Sequence, residues 1–241
     1  MCPNCKIIKL GSCSLEACEI PSATTLDIKQ GLGIGGGSNA ILIEADKRIL
    51  VDTGFEYEMH GLNSENVENN RKKLVSALEH YDYSLEDIEM VFITHWHLDH
   101  YGNLDIFKRA QRVASRIVVE SENLVDFISA DDGEEITEGV KVVYTPGHTL
   151  GHASVLVNAK IGNQDQALGL RIALSGDAIV SLSYFDSGKV WAYNKNFYDK
   201  EESRNSMKKL AKYSDVIIPG HGGPFITFAP KWMEDMDKKA I

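Results

Sequence analysis

Four side chains able to hold a metal ion, His95, His97, Asp99 and His100, fall within the run Ile93-Thr94-His95-Trp96-His97-Leu98-Asp99-His100. Neutral imidazoles and carboxylates are the donors that suit zinc, iron or manganese. On a tight turn, residues two apart can face the same way, so His95 and His97 can share one cation while Asp99 and His100 face a second. Three of the eight histidines of the chain lie in this stretch, a density that a solvated loop does not need. The stretch reads as a metal site.

An apolar, partly β-branched run, Met90-Val91-Phe92-Ile93, leads into the cluster and reads as a buried strand. The same arrangement recurs. Arg48 to Val51 runs into Asp52-Thr53-Gly54, and Val140 to Tyr144 into Thr145-Pro146-Gly147-His148-Thr149-Leu150-Gly151-His152. Leu170 to Leu174 ends at Ser175-Gly176-Asp177, and Asp215 to Ile218 at Pro219-Gly220-His221-Gly222. Five strand ends thus carry Asp52, the 95–100 cluster, His148, Asp177 and His221. Ala40 to Glu44, Arg116 to Glu120 and Ala153 to Val157 also read as strands. Helices are expected over residues 65 to 80, about 103 to 112 and about 200 to 212. Alternating strands and helices specify an α/β fold with mixed sheets. With no linker or repeat in view, 1–241 is expected to be one domain with a cysteine-containing arm at about 1–25.

Composition is that of an ordinary globular chain: 241 residues, 43% hydrophobic and 25% charged, with a net charge of −10. An acidic chain repels phosphate backbones unless it has a basic patch. Its basic clusters, such as Arg71-Lys72-Lys73, lie in helical patterns and read as solvated faces, so nucleic acid is disfavoured as a partner. No apolar run reaches membrane-spanning length, and the first residues lack the pattern of a secretory leader. A reducing, cytoplasmic setting is therefore expected. Cys2, Cys5, Cys13 and Cys18 then stay unpaired. Cys2 and Cys5 form one C-x2-C knuckle, but the second pair is too loosely spaced for a zinc ribbon. Free thiols or a packed arm are expected, with a structural metal as the alternative. Gly31 to Gly37 contains a G-x-G-x-x-G match, but a strand and not a helix follows it, so it reads as a loop.

Taken together, H-x-H-x-D-H, T-P-G-H-T-x-G-H, G-D and P-G-H-G resemble the metallo-β-lactamase superfamily over about residues 38 to 225. The resemblance implies a four-layer αββα sandwich, two mixed sheets with helices outside. It implies that His95, His97 and His148 bind a first metal, that Asp99, His100 and His221 bind a second, and that Asp177 bridges both. Asp52 would support a ligand imidazole by hydrogen bonding. His152 is expected to pack or to act behind the ligands, and His60 and His80 to be surface residues. The implied cofactors are two divalent ions, zinc first, with iron or manganese as alternatives. Such ions about 3.5–4 Å apart hold a bridging water and lower its pKa from ~15.7 towards ~7.

The implied function is hydrolysis by a metal-bridging hydroxide, with Asp99 or the second metal aiding the leaving group. Asp99 and Asp177 are thus the expected catalytic carboxylates. Flavodiiron relatives carry Glu where this chain has His97, and glyoxalase II adds a C-terminal domain. Acyl-homoserine-lactone lactonases usually carry Tyr where this chain has Val180. What remains is a small hydrolase acting on an ester, thioester or lactone. A phosphodiesterase or ribonuclease is the first alternative, and an iron-dependent, persulfide-dioxygenase-like oxidoreductase the second. A small molecule is the expected partner, with no membrane association and homodimerisation left open. Tyr184, Tyr193, Asn194, Asn196 and Tyr198 are polar candidates near the site without an assigned role, and Trp191 is a candidate wall.

Overall fold

A computed structural model describes residues 3–12, 36–56, 64–161, 168–192, 194, 196–233 and 236. Cys2, Cys13, Cys18, His60, Tyr193 and all but Gly36 and Gly37 of the glycine loop lie outside the described residues.

Two six-stranded mixed sheets form the centre. In the first, β1 (Asn4–Lys9), β2 (Ala40–Glu44) and β3 (Arg48–Val51) run antiparallel, and β4 (Met90–Ile93), β5 (Gln111–Ser115) and β6 (Phe127–Ala130) continue parallel to β3. The second comprises β7 (Glu135–Thr137), β8 (Val140–Tyr144), β9 (Ala153–Ile161), β10 (Leu168–Leu174), β11 (Val216–Ile218) and β12 (Phe225–Ile226), with β10 and β11 parallel and the other neighbours antiparallel. The two central strands of the first sheet, β3 and β4, are covered on two faces, which is why they read as apolar runs.

Alternation along the strands sorts the layers. Ile41, Ile43, Val51 and Phe92 point between the sheets and meet Val142, Val155, Leu174 and Ile218. Leu42, Leu50, Val91 and Ile93 point outward onto Leu74 and Leu78 of α1 (Ser64–Glu79). On the far side, Ala173 and Ile217 pack against Phe185 of α4 (Leu182–Ser187) and Met207 and Leu210 of α5 (Lys200–Tyr213). Helix, sheet, sheet, helix is the αββα sandwich that the resemblance implies. Each fully buried large side chain contributes roughly 1.5–3 kcal/mol, so the three apolar layers fix the register that holds the strand ends.

Two expectations need correction. The helix expected at about 103–112 is a short 3-10 turn at Leu104–Ile106 after α2 (Leu98–Tyr101), followed by β5. That single turn is enough to bring Leu104 and Phe107, three apart, into the outer apolar layer with Leu74 and Leu78. The strand expected at 116–120 is instead α3 (Arg116–Ser121). Ser115 caps it: its Oγ accepts the Val118 N–H at 3.2 Å and donates to the Gly151 carbonyl. Capping and burial of Val118 override the β-branched propensity of Ile117-Val118-Val119. β1 was absent from the expected strands; it lies at an edge, where Cys5 pairs with Ile43 and packs against the inter-sheet core.

Candidate metal centre

Five strands, β3, β4, β8, β10 and β11, deliver their C-terminal ends to one rim of the sandwich. The two sheets are tied there by the Ala153 N–H donating to the Thr94 carbonyl at 2.9 Å.

Asp52, directly after β3, has a left-handed backbone (φ 57°), a conformation that Asp tolerates better than most residues. That bend turns its carboxylate under the β4 turn. Oδ1 accepts the Thr94 N–H at 2.9 Å, and Oδ2 accepts the Thr94 hydroxyl at 2.9 Å and His100 Nδ1–H at 2.7 Å. Thr94 Oγ1 in turn accepts His95 Nδ1–H at 3.1 Å. One buried carboxylate therefore orients His100 directly and His95 through a hydroxyl, leaving both Nε2 lone pairs aimed inward.

His95 Nε2 and His148 Nε2 lie 2.8 and 3.0 Å from His97 Nδ1. His97 Nε2–H is engaged by Asn196 Oδ1 at 2.7 Å. Three ring nitrogens thus converge on one point, the geometry that a shared cation needs. Asp99 Oδ2 lies 3.5 Å from His100 Nε2 and 3.3 Å from His221 Nε2. Asp177 stands between the groups: its Oδ2 is 3.4 Å from His148 Nε2, and its Oδ1 is 3.4 Å from both His100 Nε2 and His221 Nε2. Among the described residues, three such groups have ligand atoms within 4.8 Å of one another: His95, His97 and His148; His95, His100 and Asp177; and Asp99, His100 and His221.

The donor set fits divalent cations on chemical grounds. His100 Nε2 and Asp177 Oδ1 are buried without a hydrogen-bond partner, and an orphaned group of this kind costs about 1–3 kcal/mol, more when charged. Burial holds His95 well below the ordinary imidazole value and brings His148 down to about 3, so both are neutral. Burial would also lower His100 and His221, but Asp52, Asp99 and Asp177 push His100 well above that value, and Asp177 and Asp99 do the same to His221. Burial would raise Asp99, yet His100 and His221 hold it below the usual carboxylate range. The buried carboxylates demand positive charge, which divalent ions satisfy.

The loop carrying His221 is clamped from elsewhere in the chain. Asn39, buried at the start of β2, donates to the Pro219 and Gly222 carbonyls at 2.7 and 2.9 Å and accepts the Gly11 N–H at 2.6 Å. Beyond Gly11, the Ser12 carbonyl accepts His221 Nδ1–H at 3.2 Å. Thr94, Asn39 and Ser12 were not singled out from the sequence. A buried amide opening an apolar run was the one available signal for Asn39. His152 lies behind the cluster, its Nδ1 2.9 Å from Thr145 Oγ1 and its Nε2 accepting the Ala178 N–H at 3.2 Å, so neither nitrogen is free. His80 is exposed.

The sequence profile of the metallo-beta-lactamase superfamily matches residues 33–124. Metallo-beta-lactamase domain-containing protein 1 of Xenopus laevis is 29% identical over 190 residues, covering 76% of this chain and 70% of the relative. The chain is similar to the metallo-beta-lactamase superfamily. Within it, an N-acyl homoserine lactonase of Bacillus cereus is 26% identical over 244 residues, covering 89% of this chain and 91% of the relative. A metallo-beta-lactamase-fold protein of Thermotoga maritima superposes with a TM-score of 0.61 at 20% identity, over 94% of this chain and all of that one. An N-acyl homoserine lactone hydrolase, solved with the product N-hexanoyl-L-homoserine bound at its catalytic metal centre, superposes with a TM-score of 0.56 at 20% identity over 83% of each chain. These structural likenesses concern the superfamily's fold.

Proposed function

We propose that this metal-dependent hydrolase holds two divalent ions, zinc first, and cleaves an ester, thioester or lactone bond of a small molecule. One observation carries the two-ion reading: the two oxygens of Asp177 face different histidine groups, Oδ2 towards His148 and Oδ1 towards His100 and His221. His95, His97 and His148 would hold one ion, Asp99, His100 and His221 the other, and Asp177 both. Bound there, divalent ions would supply Lewis acidity, polarising a scissile carbonyl and lowering the pKa of a water towards neutrality.

Asp99 is the most open of the three carboxylates, at 14% side-chain exposure against 8% for Asp177 and 5% for Asp52. Asp99 would take a proton from the attacking water and return it to the departing oxygen or, in a thioester, sulfur. The net change adds hydroxyl to the acyl carbon and hydrogen to the leaving atom. The ester-type substrate class is supported by the kinship with a Bacillus lactonase and by the acidic charge of the chain. All five strand ends serve one site, so residues 1–241 would act as one domain.

Metal analysis of protein purified without chelator, followed by assays on acyl lactones, aryl esters, acyl thioesters and an aryl phosphodiester, tests this. Two metal equivalents and turnover of an acyl substrate are expected. Preferential phosphodiester cleavage would overturn the substrate class, and one equivalent, or iron with visible absorbance, the metal assignment.

A further inference from the structure

His95, His100 and His221 each spend Nδ1–H on an oxygen of the chain and turn Nε2 inward. His97 does the opposite, turning Nδ1 towards His95 and His148. The distinction needs a cause, because a half-buried imidazole can carry its proton on either nitrogen. The acceptor at the outer nitrogen is Asn196 Oδ1, 2.7 Å from His97 Nε2.

Asn196 is itself held. Asn194 Nδ2 donates to Asn196 Oδ1 at 3.0 Å and lies 3.2 Å from the His148 carbonyl, which it also serves as donor. Farther along the loop, the Tyr198 and Asp199 N–H groups both donate to the Gly147 carbonyl, at 3.1 and 3.0 Å. Asp199 then caps α5, its Oδ1 accepting the Glu201 and Glu202 N–H groups at 2.8 Å each. On the facing side, Gly147 (φ 136°) lies so close to α5 that a Cβ there would stand 2.3 Å from Ser203 Cα. Asn194 and residues 196–199 are thereby fastened to the His148 loop and to a fourteen-residue helix.

We propose that Asn196 is the positioning residue that fixes Nδ1 as the inward nitrogen of His97, with Asn194 as its brace tying His97 to the His148 loop. The inference rests on the two-ion reading above. A side-chain oxygen behind a ligating imidazole sets its tautomer and raises its basicity, and losing such a partner typically costs 10–100-fold in metal affinity. Because Asn196 is exposed, water can replace part of the lost acceptor, so the loss falls at the lower end, about tenfold.

The test uses the full-length chain, wild type, Asn196→Ala and Asn196→Asp, with chelator-competition titration of zinc and 15N histidine spectra of the same samples. Asn196→Ala is expected to keep the circular dichroism of wild type and lose about tenfold in affinity at one zinc site. Its His97 signal should shift from the Nε2–H form to a mixture. Asn196→Asp keeps the acceptor and should restore both. Unchanged zinc affinity and tautomer in Asn196→Ala would overturn the proposal, as would an Asn196→Asp variant no better than Ala. Failure of the wild-type chain to bind zinc would instead overturn the two-ion reading, and the His97 tautomer in that sample would still decide the role of Asn196.

Discussion

Asp52 Oδ2 and His100 Nδ1 stand 2.7 Å apart, on side chains 5% and 0% exposed, and the same carboxylate takes both polar hydrogens of Thr94. A bent backbone at the end of one strand thereby holds the ligand turn of the next. Asp52→Ala leaves two buried donors of Thr94 and one of His100 without an acceptor, each a cost of about 1–3 kcal/mol. Urea unfolding should show a loss of at least about 2 kcal/mol, and zinc affinity should fall 10–100-fold. Wild-type zinc affinity in the variant would mean that His100 needs no orienting group.

Asp177 is the side chain that faces both histidine groups. In Asp177→Ala the metal content of purified protein should drop from two equivalents to one or none, with hydrolysis reduced at least about a thousandfold, because paired ions stabilise attacking and leaving oxygens together. Plasma emission spectrometry on dialysed protein reads this directly. Two retained equivalents would remove the bridge.

The site was legible to the extent that it follows strand ends. Strands covered on both faces show as apolar runs, and a ligand in the turn after each is visible without knowing how the strands pack. Met90 to Ile93 into His95 is such a case; Val140 to Tyr144 into His148 and Asp215 to Ile218 into His221 repeat the strand-then-ligand order, and the structure brings these turns to the rim where Asp177 lies. What could not be seen was anything supplied from a distance. The Ser12 carbonyl under His221, 209 residues away in sequence, is a backbone atom with no residue-type signature. Likewise, Ile117-Val118-Val119 looks like a strand until Ser115 is known to cap it. Local propensity gave way to tertiary packing there.

Gly220 and Gly222 flank His221 and offer a matched pair. A Cβ on Gly220 would lie 2.0 Å from Asp177 Oδ1, whereas one on Gly222 (φ 88°) would meet nothing within 4 Å. Gly220→Ala must therefore displace the Asp177 carboxylate, and it should lose one metal equivalent and most activity. Gly222→Ala carries only the strain of a left-handed backbone, about 1 kcal/mol, and should keep both metals while melting a few degrees lower. Equal metal loss in the two variants would show that the loop, and not the carboxylate contact, is what matters.

Cys5 supplies a prediction independent of the metals. Burial pushes its thiol up from 9.0 to about 12, in a strand where it pairs with Ile43 and packs on the inter-sheet core. The thiolate is the reactive form, so at pH 8 a shift of three pH units cuts its population by about a thousandfold. A chain carrying Cys2→Ser, Cys13→Ser and Cys18→Ser, with Cys5 left as its sole thiol, should react with an aromatic disulfide reagent about a thousandfold more slowly when folded than in urea. The sign for stability is the same. The thiol contributes fully below pH 9, and the contribution is lost as pH rises from 9 towards 12, where the unfolded chain ionises first. Folded-state reactivity equal to that in urea would mean that β1 opens freely and that Cys5 is available as a ligand or redox group.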